Sequence, residues 1–136
     1  MQPRYMLDTN ICIYIIRHKP IEVQKRFERL KAGEAVLSAI TFGELHFGAA
    51  KSQQRDAVVI MLEELTAFLP VLALPEIASR EYGALRAILE AKGQSIGNND
   101  LWIAAHAKSI DMILVTNNER EFKRVPGLKL ENWVKA

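Results

Sequence analysis

Thiols are nearly absent: Cys12 is the only cysteine in the 136 residues, which excludes an internal disulfide and suits a reducing compartment. Flanked by Ile11, Ile13, Ile15 and Ile16, it reads as buried filler rather than a reactive thiol. Long apolar runs are missing too. The stretch Ile11 to Ile16 falls far short of the ~20 residues of a membrane-spanning helix, and Asp8 follows Met1 too closely for a secretory apolar segment. The expected compartment is the cytoplasm, with no membrane partner. Neither sign of charge dominates, since 18 Lys and Arg against 16 Asp and Glu leave a net charge of +2. Strongly basic nucleic-acid-binding domains carry more excess than that, so any basic surface must be local. His18, His46 and His106 lack an H-E-x-x-H or any paired spacing, which leaves them structural or exposed. Repeats, linkers and low-complexity segments are also absent.

What is present suits one ordinary domain spanning 1–136, with 49% apolar and 25% charged residues. The apolar triplet Tyr5-Met6-Leu7 predicts a short buried strand, and Ile11 to His18 a first helix closed by Lys19-Pro20. Val23, Phe27 and Leu30 recur at spacings of three and four, which predicts a second helix ending at Gly33. Ala35 to Ser38 reads as a second strand. Thr41 opens the next helix, which passes near Lys51-Ser52 into another running to about Phe68. Val71 to Leu74 is a third strand, Pro75 fits the first position of a helix that reaches about Lys92, and Asn98-Asn99-Asp100 leads into a helix through Ala107. Met112 to Val115 is a fourth strand, followed by a helical turn through Phe122 and an edge strand within Leu128 to Trp133. Strands alternating with helices imply an α/β fold, with a parallel sheet covered on both faces.

Four polar sites fall at strand ends or helix starts: Asp8, Glu44, Asp100 and the corner Thr116-Asn117-Asn118. Taken singly, each reads as a helix cap; Thr41-x-x-Glu44 matches a capping box, and Asp8 and Asp100 can cap or charge a first turn. Taken together, carboxylates converging in the crevice beyond the strand ends repel one another unless a cation or protons neutralise them. Magnesium or manganese suits such a site, because each prefers oxygen ligands and keeps several waters. The chemistry this predicts is metal-assisted phosphodiester hydrolysis.

Met6-Leu7-Asp8-Thr9-Asn10, Ser38-x-x-Thr41-x-x-Glu44-Leu45, Asn99-Asp100-x-x-Ile103-Ala104-Ala105 and Val115-Thr116-Asn117-Asn118 resemble the signatures of PIN-domain nucleases. More narrowly, the chain resembles the VapC toxins, over essentially its whole length and in the family's order and spacing. The resemblance implies a three-layer α/β/α fold with a central parallel sheet of four to five strands. It also implies an Mg2+- or Mn2+-dependent endoribonuclease that inhibits translation, plausibly by cutting the anticodon loop of initiator tRNA. As partners it implies RNA, a VapB-type antitoxin, a second copy of the chain, and operator DNA only through the antitoxin. Asp8, Glu44, Asp100 and Asn118 match the family's catalytic positions, with Asp8 and Asp100 as metal ligands. Many relatives place an aspartate where this chain has Asn118, which leaves a second metal locus weaker or served through water by Asn118 or by Glu119 or Glu121, with Thr116 and Asn117 in support.

Trp102 lies in an apolar helical pattern and is expected in the core, while Trp133 stays open between core and base stacking. Lys25, Arg26, Arg29 and Lys31 form a stripe interleaved with glutamates, which favours a solvated face; Lys123, Arg124 and Lys129 form another. The apolar helices from Phe47 to Phe68 offer a surface for self-association or for an antitoxin helix. Haloacid-type phosphatases want a second aspartate where this chain has Asn10, and no lysine stands directly after the fourth strand to complete a phosphorylated-receiver site. The alternative function is a degenerate PIN module that binds RNA or a partner without cleavage.

Overall fold

The computed structural model describes residues 2–134, so Met1, Lys135 and Ala136 at the ends of the expected 1–136 domain lie outside it. Its elements run β1 (Tyr5–Leu7), α1 (Thr9–Arg17), α2 (Ile21–Glu28), β2 (Ala35–Ser38), α3 (Ala39–Ala50), α4 (Arg55–Phe68), β3 (Val71–Leu72), α5 (Glu76–Ala91), α6 (Asn98–Ser109), β4 (Ile113–Val115), α7 (Glu119–Phe122) and β5 (Lys129–Glu131). The strands form one five-stranded sheet in the order β3-β2-β1-β4-β5, with every pairing parallel. The fold expected from the alternation of strands and helices is therefore the one observed.

Side-chain alternation sorts the strand residues between two apolar layers. Tyr5, Leu7, Ala35, Leu37 and Val115 pack with α1, α2 and α4, and Trp133 joins them with its ring edge-on to Tyr5. Met6, Val36 and Leu114 pack on the other face with α5, α6 and Phe122 of α7. Because both faces of β1 and β2 are covered, their residues read as unbroken apolar runs. Trp133 is thus a core residue, its indole N–H donating to Glu131 and the Arg26 guanidinium lying over its ring.

The order of the strands reverses between β1 and β4. In open α/β sheets the ligand crevice lies at the carboxyl ends of the strands flanking such a switch point. Here those ends are Asp8 and Thr116, with the Asp8 N–H bonded to Val115 O at 3.0 Å.

Candidate functional site

Asp8 is 5% exposed and does two jobs at the end of β1. Its Oδ1 accepts the Ile11 N–H at 3.0 Å, which caps α1, and its carboxylate also accepts a hydrogen bond from the Thr116 hydroxyl. A carboxylate has roughly four acceptor sites, so the cap leaves capacity for a further ligand. Burial raises its pKa, the bonds from Thr116 and Ile11 oppose the rise, and the charge of Glu44 adds to it. Thr116 is itself fully buried, and its oxygen accepts the Asn118 N–H at 2.9 Å. The hydroxyl thus ties the β4 corner to Asp8.

Glu44 corrects one expectation. Ser38, not Thr41, caps α3, with Oγ accepting the Ile40 N–H at 3.1 Å, so the helix starts earlier than the capping-box pattern suggested. Glu44 then falls in the second turn and is free of cap duty. Its carboxylate accepts from the Thr9 hydroxyl on α1 and from Asn99 Nδ2 on α6 at 3.2 Å. One side chain therefore links three helices at the mouth of the crevice.

Asp100 lies in the first turn of α6, where Gly97 occupies the cap position and supplies no side chain. Its pKa is pushed up to about 7, first by burial, then by contact with Glu121 and by the charges of Glu44 and Asp8. Glu121 Oε1 is buried without a donor. Two carboxyl groups face each other this way only with a proton or a cation between them. The acid at the fourth corner is therefore Glu121, one of the two glutamates the sequence left open.

The remaining candidates lie elsewhere. Asn118 is at the cap position of α7 and is bound through its backbone. Asn117 is exposed between Tyr14 and Asn132, with contacts of 3.4 and 3.2 Å, and Glu119 is engaged by Asn132 at 2.9 Å and Lys123 at 3.9 Å. Thr9 and Asn99, which hold Glu44, were not singled out from the sequence as site residues. Their one sequence signal is adjacency to Asp8 and Asp100. Trp102 departs from expectation: it is half-buried and stacks on Tyr82 at 3.8 Å, in place of full core burial.

An open cavity of about 380 Å³ fronts Glu44, Gly97, Asn98, Asn99 and Asp100. Among the described residues, no three of His, Cys, Asp and Glu close into a ready-made metal cage. The donors are nonetheless all oxygen, two of the acids carry raised pKa values, and Glu121 Oε1 lacks a partner. That set fits a hard divalent ion held by one or two direct carboxylates with the others acting through water. A larger cavity of about 590 Å³ lies apart from the acids, among α1, α2 and α4, and is walled mainly by Ile15, Ile16, Phe27, Leu30, Leu65 and Phe68.

An all-parallel sheet with four acids gathered about its switch point is the architecture of a PIN domain, and the family model described as PIN domain matches residues 5–128. The chain is 44% identical over 131 residues to "Ribonuclease VapC2" of Haemophilus influenzae, covering 96% of this chain and 98% of the relative. It is 42% identical over 130 residues to "tRNA(fMet)-specific endonuclease VapC" of Shigella flexneri, at the same coverage. Among solved structures, it is similar to a chain of VapBC2 from Rickettsia felis bound to a DNA fragment from their promoter, with a TM-score of 0.88, 42% identity and coverage of 95% and 98%. The chain is a PIN-domain protein, and within that class it belongs to the VapC family.

Proposed function

We propose that this chain is a metal-dependent endoribonuclease, the toxin of a type II toxin–antitoxin pair, built as a single PIN domain over 1–136 and acting in the cytoplasm. The observation that carries the reading is the convergence of Asp8, Glu44, Asp100 and Glu121 at the β1/β4 switch point, with Asp100 held near pKa 7. Asp8 and Asp100 are the residues that would hold Mg2+ or Mn2+. Such an ion, when bound, supplies positive charge against the phosphodiester and acidifies water at the site.

The chain's own residues supply the rest. Thr116 and the Ile11 N–H fix the Asp8 carboxylate in one orientation, and Thr9 and Asn99 do the same for Glu44. Glu44, held at the mouth, is placed to orient the attacking water and accept its proton. Glu121 tunes Asp100 from behind, and Asn118 anchors the corner through the backbone. Glu121 supplies the fourth acid that the Asn118 position lacks, which favours cleavage over a degenerate binding module.

The name of the Shigella relative supports initiator tRNA as substrate; a cut in its anticodon loop is part of the proposal. The Rickettsia complex, a VapBC2 pair on a fragment of its own promoter, supports a VapB-type antitoxin as partner; that the chain forms a homodimer and meets operator DNA only through the antitoxin belongs to the same proposal. The 590 Å³ apolar cavity along the C-terminal half of α1 offers an antitoxin helix a seat. Protein freed of its antitoxin should cut tRNA with Mg2+ or Mn2+ and stop with a chelator. Asp8→Ala or Asp100→Asn should cost more than the ~10–100-fold typical of outer-shell partners at a metal site. Undiminished cleavage by the double variant would overturn the assignment.

A further inference from the structure

A smaller cavity of about 140 Å³ adjoins the carboxylate crevice, between the C-terminal half of α5 and the loop leading into α6. Leu89, Ile96 and Leu101 form its apolar walls, and Arg86, Glu90 and Asn98 supply polar groups. Asn98 also lines the open space in front of Glu44 and Asp100, so the two cavities share one wall. Leu89 and Leu101 are core residues, which gives this pocket a firm floor.

The polar groups are held in place. Arg86 donates through Nη1 to the Tyr82 hydroxyl and through Nε to Glu90 Oε2, both at 2.9 Å. The Tyr82 hydroxyl in turn donates to Asn98 Oδ1, and the Tyr82 ring is braced against Trp102 at an interplanar angle of 10°. These bonds leave the Asn98 amide with free N–H donors and Glu90 with an oxygen to accept. They also hold the planar guanidinium of Arg86 in place at the edge of a half-apolar space. On the far side, Arg124 Nη1 binds Ser95 O at 2.9 Å, securing the loop and adding a second positive charge.

The cavity is below the ~300 Å³ at which sites for ordinary small molecules begin, and so suits a single ring system. Apolar walls, a guanidinium plane and a mixed donor–acceptor edge are what proteins use to hold one unstacked base of single-stranded RNA. We propose that this cavity is a base-specificity subsite that takes one nucleobase next to the phosphodiester being cut. Glu90 accepts from the base's exocyclic amino group, Asn98 donates to its ring nitrogen or carbonyl, and Arg86 stacks on its face. Guanine, adenine and cytosine carry that exocyclic amino group; uracil lacks it and offers Glu90 only its ring N3–H between two carbonyls. The assignment of substrate rests on the nuclease reading above.

Two variants test it without touching the four crevice acids: Ile96→Trp fills the cavity from a half-buried loop position, and Glu90→Gln removes the charge of the acceptor on an exposed helix face. The 5′ ends of RNA cut by the full chain, free of antitoxin, give the base preference beside the cut. Wild type should disfavour uracil at that position. Each variant should flatten the preference by about tenfold, the scale of one good edge contact. A preference unchanged in both variants overturns the proposal, and so does a wild-type preference for uracil. Altered antitoxin affinity with unchanged preference overturns it too, reassigning the cavity to a protein contact. If wild type cuts no RNA, the nuclease reading fails, and the subsite is judged by NMR titration of metal-free protein with the four nucleoside monophosphates. Shifts at Ile96 and Leu101 for the three amino-bearing bases, and not for uridine monophosphate, support it; their absence overturns it.

Discussion

Asp100 and Glu121 are in contact at the crevice, and the raised pKa of Asp100 has a consequence for stability. Asp100 rises from its ordinary 3.8 to about 7 in the folded, metal-free chain. A raised folded pKa favours the protonated fold, so the contribution is fully present below about pH 4 and is lost as pH climbs through 7. His106 has the opposite sign. Burial lowers it from 6.5 to about 4, so its contribution is present above 6.5 and fades as pH falls toward 4. Comparing wild type with Asp100→Asn cancels the histidine. In chelator, the variant is expected to match wild type near pH 4 and to melt higher near pH 8, as read by thermal unfolding. An identical difference at both pH values would sink the account of the pair.

At the junction of β2 and α3, Ser38 carries two contacts at once, the Ile40 cap and a 2.8 Å bond to His106 Nδ1 across to α6. Ser38→Ala is expected to cost about 0.5–2 kcal/mol for the cap and about 1–3 kcal/mol for the orphaned histidine, read from urea midpoints. Thr41, one turn on, is fully buried and its hydroxyl lacks a partner among the described residues. Burying a hydroxyl that way costs about 1–3 kcal/mol, so Thr41→Val should stabilise the chain, and a loss of stability would refute the orphan. These two residues also show what was legible beforehand. The strands were readable because both faces of the sheet are covered, and Asp8 and Asp100 stood out because they sit at a strand end and in the first turn of a helix, whereas Glu44 stood out through a capping pattern that the structure does not use. The start of α3 was not readable, because Thr41-x-x-Glu44 has the same local pattern as a true cap, and only tertiary burial of Thr41 decides against it. β3 stops at Leu72, short of the run to Leu74, because it is an edge strand paired on one side. Glu121 was left beside Glu119 because the orientation of a single helical turn depends on what it packs against. Phe122, buried in the second layer, fixes which glutamate turns inward.

Across the whole molecule, the four acids come from both sides of the sheet: Asp8 adjoins the α1 layer, and Asp100 and Glu121 stand on helices of the opposite layer. A cation held between Asp8 and Asp100 would therefore join the two packed layers directly at the crevice. Unfolding separates these ligands by some ninety residues of chain, so the unfolded state has no preformed site. Binding to the folded state alone adds about 2.7 kcal/mol when the ion is at a hundred times its Kd. Mg2+ or Mn2+ should thus raise Tm with concentration near pH 8. The rise should shrink near pH 5, where the ion must displace the proton on Asp100, and it should largely vanish in Asp100→Asn. An equal rise in that variant would mean that the ion stabilises the chain from some other place, and the crevice would lose its claim to the metal.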